Sequence, residues 1–94
     1  MSFVFSGIMS DDMAKRFAEH MSFSQYQNNA NGLLVSVKEA DQERYGRAFF
    51  LRRASQFLHN EKSSLVLYAR LDHDENSCQW RVTQHGQEMV KPSV

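Results

Sequence analysis

This chain has little of what small proteins use to staple or bend themselves: one cysteine, one proline and four glycines in 94 residues. A lone Cys78 excludes an intramolecular disulfide, so the framework logic of small secreted domains does not apply and a reducing compartment is expected. Sparse Pro and Gly, beside 41% hydrophobic and 23% charged residues, exclude the fibrous and disordered classes. No apolar run approaches the ~18 residues of a membrane span. Residues 1–9 are apolar, but they lack a basic leading segment and run straight into Asp11 and Asp12, which argues against a signal peptide. The expectation is a cytoplasmic protein, complete from Met1, with no membrane partner. Net charge is missing too, since eleven bases balance eleven acids. Nothing global therefore points to DNA wrapping or to an anionic membrane.

That zero is composite. Residues 1–43 hold six acids and three bases, residues 44–71 six bases and one acid, and residues 72–94 four acids and two bases. A basic middle between acidic ends permits an electrostatic face, although opposite charges meeting as ordinary surface pairs would use it up at little gain each. Seven Phe, three Tyr and one Trp supply large apolar area. They serve one thin core, because a chain of this length buries only roughly 60 to 65% of its unfolded surface.

Phe3-Val4-Phe5-Ser6-Gly7-Ile8 is short, apolar and partly β-branched, which reads as a strand. Ser10 is placed to cap a helix, Asp11 and Asp12 suit its positive end, and Met13, Phe17 and Met21 recur on one face, so a helix is expected to about Ser22. Residues 22–32 turn polar and end in Asn31-Gly32, a turn signal. Residues 33–38 read as a strand, residues 41–46 as a polar connection, and residues 47–52 most economically as the second strand of a hairpin. Were that segment helical instead, Phe50, Leu51, Ala54, Phe57 and Leu58 would share a face. Residues 55–61 suit a short helix. Leu65, Leu67, Ala69 and Leu71 alternate with Val66, Tyr68 and Arg70 as a strand with odd residues inward, and Cys78, Trp80 and Val82 continue as its hairpin partner, with Trp80 as core anchor.

The expected fold is α+β: a small antiparallel sheet with one main and one short helix, in the order β-α-β-β-(α)-β-β, plait-like. One domain spans residues 1–86 and residues 87–94 form a tail. Helices on one face of such a sheet leave the other solvated or used.

Few motifs carry chemistry. Asp72-His73-Asp74 with Cys78 lacks a second ligand pair for zinc, and acidic residues in a turn have a structural reason to be there. His20 and His59 fall at helix ends, where a carbonyl terminus accounts for them, and His85 sits beside a Gly. Cys78 lies at an inward strand position, as buried free thiols do. Glu39, Asp41 and Glu43 read as a solvated loop rather than a general-acid pair. No catalytic residue, metal or cofactor is expected, and the chain reads as a non-enzymatic protein.

The densest feature is Arg44-Tyr45-Gly46-Arg47-Ala48-Phe49-Phe50-Leu51-Arg52-Arg53, which gathers four bases and three aromatics without an acid. Tyr and Arg are enriched in interface hot spots, and small sheets with free edges invite a partner strand or a second copy. Tyr45, Arg47, Phe49, Arg52, Arg53, Tyr68 and Arg70 are the expected partner-binding residues of a small regulatory or inhibitory protein that binds a protein or homodimerises. The alternative is single-stranded RNA or DNA, with rings stacking bases and Arg groups on phosphates. Within that segment, residues 46–51 resemble the RNP1 submotif of the RNA-recognition motif family, and residues 3–8 stand in the position of its RNP2. Tyr45 replaces the submotif's basic residue and Arg47 occupies its first stacking position. The resemblance implies a nucleic-acid platform on a sheet.

Overall fold

In the structure, a computed structural model describing residues 2–7, 9–72 and 79–90, the elements run β1 (Ser2–Ser6), α1 (Asp11–Met21), β2 (Gln25–Asn29), β3 (Gly32–Ser36), α2 (Glu39–Asn60), β4 (Leu67–Leu71), β5 (Gln79–Thr83) and β6 (Gly86–Val90). The six strands make one antiparallel sheet in the order β2-β3-β1-β4-β5-β6. Its first four strands and two helices have the arrangement of a split βαβ plait, and the β5–β6 hairpin widens it on the β4 side. The α+β expectation holds. His73, Asp74 and Cys78 lie outside the described residues.

Both helices pack on one face. Phe3 and Phe5 of β1, Leu33 and Val35 of β3, Leu67 and Ala69 of β4 and Val82 of β5 point into the core beneath them. Aromatic rings join the layers: Phe5 meets Phe17 of α1 edge-on at 5.3 Å between centroids, Phe17 meets Phe57 of α2 at 5.1 Å, and Phe3 meets Phe50 at 6.2 Å. Such pairs add about 0.5–1.5 kcal/mol beyond the area they bury. Trp80 faces the same side as expected, half-buried against the core, and its indole nitrogen is buried without a partner.

Local chemistry sets the element ends. Ser10 accepts the Met13 amide on its Oγ at 3.2 Å, with Asp11 and Asp12 in the first turn, and α1 stops at Ser22, whose φ of 57° is left-handed. At the far end of α2, Lys62 takes the same conformation at φ 53°, and the Ser63 amide closes on the Leu58 carbonyl. Arg16 ties the two helices together, donating to Glu61 Oε1 at 2.8 Å while also pairing with Asp12. The Glu61 hydrogen bond, first among the causes, raises the guanidinium's already high pKa.

Three expectations are corrected. Residues 47–52 are helical, so the hairpin they were to form with residues 33–38 is absent, and in place of a connection, a strand and a short helix there is one interrupted helix, Glu39–Asn60. The reason is spacing: Phe50, Leu51, Ala54, Phe57 and Leu58 are all buried, a period of 3.6 rather than 2. Gly46 interrupts α2 with φ 73° and ψ 174°, a conformation nearly restricted to glycine. Second, the polar residues 25–29 are a strand, pairing with β3 through a turn in which the Asn31 amide bonds Asn29 Oδ1. Third, residues 86–90 add β6 beside β5, where no strand was expected.

Candidate functional site

Pairing fixes which residues share the uncovered face. Opposite the buried set stand Val4 and Ser6 of β1, Leu34 of β3, Tyr68 and Arg70 of β4, Arg81 of β5 and Glu88 of β6, through the partners Val4↔Leu34, Val4↔Arg70, Ser6↔Tyr68, Tyr68↔Arg81 and Arg81↔Glu88. Among the described residues no helix lies over them. Val4, Leu34, Tyr68, Arg70 and Arg81 are half-buried, shielded only by their neighbours in the sheet. The centre is aliphatic with one phenol, and the cations stand to one side of it.

Charge divides this face in two. The half formed by β2, β3 and β1 presents Gln25, Gln27, Asn29, Gly32, Leu34, Ser36, Ser2, Val4 and Ser6, all uncharged. The half formed by β4, β5 and β6 presents Tyr68, Arg70, Gln79, Arg81, Thr83, Gly86, Glu88 and Val90. Arg81 reaches Glu88 Oε1 at 3.4 Å across the strands, and Arg70 bends toward the strand end to donate to the Leu71 carbonyl at 3.3 Å. A shallow depression of about 460 Å³ lies over the uncharged half, lined by Ser24, Gln25, Tyr26, Gln27, Leu34 and Ser36. It holds no acid and no base.

The residues expected to form one contact surface are therefore split between the two sides of the sheet, although Arg47 and Arg70 line one small cavity together with Phe3, Leu51 and Trp80. Tyr68 and Arg70 are on the uncovered face, whereas Arg47, Phe49, Arg52 and Arg53 belong to α2 on the opposite side of the sheet. Tyr45 is also in α2, its side chain outside the described set. Arg53 is a structural tie: its Nη2 donates to the His20 carbonyl at 2.6 Å, its own carbonyl is 3.1 Å from His20 Nε2, and its guanidinium lies 5.6 Å above the Phe49 ring. Phe49 is half-buried, edge-on to Phe50. Arg52 is exposed. A notch of about 210 Å³ beside Arg53, reaching Asp41 and Ser22, separates the end of α1 from α2. The RNP1-like run is thus helical, and its rings are not on a sheet.

Val4, Leu34 and Arg81 were missed as site residues. Their signal was the other half of each strand's alternation: Val4 between Phe3 and Phe5, Leu34 between Leu33 and Val35, Arg81 between Trp80 and Val82. Among the described residues no three His, Cys, Asp or Glu side chains cluster as metal ligands, and no helix is long and apolar enough to cross a membrane. No protein-family model, curated protein or solved structure matches this chain.

Proposed function

We propose that this is a small, non-enzymatic regulatory or inhibitory protein of the cytoplasm that acts by binding another protein surface through its uncovered sheet face. The observation that carries this reading is the half-buried patch of Val4, Leu34 and Tyr68 with Arg70 and Arg81 at its side, on a sheet whose other face is closed by both helices. An aliphatic and Tyr centre with Arg at its margin is the composition of interface cores. The shallow, uncharged depression over β2 and β3 supports binding rather than proton transfer, which needs positioned acids and bases.

Binding of single-stranded nucleic acid is the second reading. The exposed Arg44 and Arg52 favour it, since phosphates are held by cations at an accessible surface. The sheet supports it less, because Tyr68 is the one aromatic ring that the described strands turn to the uncovered face. Fluorescence anisotropy with a labelled 20-nucleotide oligothymidine, titrated over a salt series, separates the two. The protein-binding reading expects no saturable complex at physiological salt; a complex whose log affinity falls linearly with log salt, and which Arg52→Glu weakens, would replace it with the second.

A further inference from the structure

Independently of that face, we infer that the free edge of β2 pairs with the same edge of a second copy of this chain, antiparallel about a two-fold axis at Gln27, so that the two sheets run on as one. The two edges of the sheet differ in how they are protected. Edge strands are ordinarily guarded by charge or proline against pairing with another chain. β6 follows that pattern, with Glu88 in the strand and Lys91 and Pro92 directly after it in the sequence. β2 lies within the run from Met21 to Val37, which holds no Asp, Glu, Arg, Lys, His or Pro. The same strand carries Tyr26, 43% exposed and one of two large hydrophobic side chains left open among the described residues.

The strand is complementary to a copy of itself. Antiparallel pairing about Gln27 sets Gln27 beside Gln27 of the other copy, Gln25 beside its Asn29 and Tyr26 beside its Asn28. Register with β3 puts Gln25, Gln27 and Asn29 on the uncovered face, and puts Tyr26 and Asn28, opposite buried Val35 and Leu33, on the helix side. A two-fold axis perpendicular to the sheet keeps those sides in common. An amide holds donor and acceptor in one group, so a row of Gln and Asn can satisfy an identical row, which a row of like charges cannot. On the helix side Tyr26 comes beside an Asn28 whose amide nitrogen is already held by the Met9 carbonyl at 3.0 Å and Asp11 Oδ1 at 2.9 Å. The exposed Asp11 carboxylate there can accept the phenol hydrogen. Pairing β6 with its own copy about Glu88 would instead set carboxylate beside carboxylate. Pairing β2 with β6 would leave a free edge at each end and add copies without closing. Two five-residue edges bury less than the ~1,200 Å² of a standard interface, so main-chain hydrogen bonds carry the pair and concentration drives it.

The test is the molar mass of the full chain by light scattering, with concentration raised to about 1 mM, the weak end of specific association. The mass is expected to climb from 10.9 kDa toward twice that value and stop. Gln27→Lys, which sets two cations together at the axis, is expected to hold the monomer mass with unchanged far-ultraviolet circular dichroism, while Met89→Lys on the other edge leaves the climb as it is. In a Cys78→Ala background, Gln27→Cys is expected to give a disulfide-linked dimer on mild oxidation, because the two Cβ atoms lie roughly 5 Å apart across the axis; Met89→Cys is not. A wild type that stays at 10.9 kDa throughout overturns the pairing. A climb past two copies overturns its closure, and a dimer that Gln27→Lys leaves intact overturns the edge. Leu34→Asp, on the uncovered face, is expected to change nothing; loss of the dimer there would move association to that face and overturn the edge as well.

Discussion

The two faces of β1 make the most instructive contrast in the molecule. Phe3 and Phe5 are 1% exposed and touch the aromatic rings of both helices, while Val4, between them in sequence, sits half-buried on a face without helices. The same three residues in the same strand thus hold two kinds of position. On one side burial is complete and ring fixes ring; on the other, shielding comes from sheet neighbours alone and the surface stays able to meet something else. The fold is stabilised by one face and leaves the other uncovered.

Substitutions can break this contrast or sharpen it. Phe17→Ala, under the covered face, should cost about 3–5 kcal/mol in urea unfolding, a large share of the ~5–15 kcal/mol available to a domain. Val4→Ala, on the uncovered face, should cost less than about 1 kcal/mol. Equal costs would mean that the uncovered face is part of the core. Next in size is Gly46→Ala, where a Cβ meets no atom within 4 Å but the positive φ remains, so the penalty is backbone strain of ~1–3 kcal/mol. A stabilised variant with increased helical dichroism would show that α2 straightens instead.

Arg53→Ala and Arg52→Ala compare two neighbours that the sequence treats alike. Losing the bond to the His20 carbonyl and the stack on Phe49 should cost about 1–2 kcal/mol at Arg53, against ~0.5 kcal/mol or less at exposed Arg52. Matching values would remove Arg53 as a tie between the helices. The smallest effect expected is at the surface pair of Arg16 with Glu61, where Glu61→Gln should lower the midpoint of thermal unfolding only slightly, and less still in high salt.

Why part of this was legible and part was not can be seen at single elements. The first helix announced itself through Ser10, the two aspartates and an apolar stripe, and β4 and β5 through strict alternation, because in each the local pattern and the tertiary environment ask for the same residues. The sequence Gln25-Tyr26-Gln27-Asn28-Asn29 carries no such pattern: an edge strand with both faces largely exposed needs no apolar alternation, and its hydrogen bonds to β3 are invisible in composition. Residues 47–52 failed for the opposite reason. A short run dense in aromatics satisfies either period, and only Ala54, Phe57 and Leu58 further along decide it. The order of helices and strands was therefore nearly right, although one expected strand was helix, one expected loop was strand, and part of the expected tail added a sixth strand. The contact residues followed that error, since five of them, Tyr45, Arg47, Phe49, Arg52 and Arg53, were assigned to a hairpin and lie in α2.

The position of β1 between β3 and β4 has a bearing on how the molecule comes together in time. The strand at the middle of the sheet is the earliest to be made, and it gains its second neighbour only when Leu67–Leu71 has left the ribosome. Its pairing of Phe3 with Leu71 closes four strands and both helices into one loop, a non-local contact of the kind that slows folding. Until then one edge of β1 is open beside Phe3 and Phe5, the residues most in need of cover. The same geometry makes Ser2 a poor place to crowd, because its carbonyl accepts the Asp72 amide and fastens the beginning of the sheet to the end of β4.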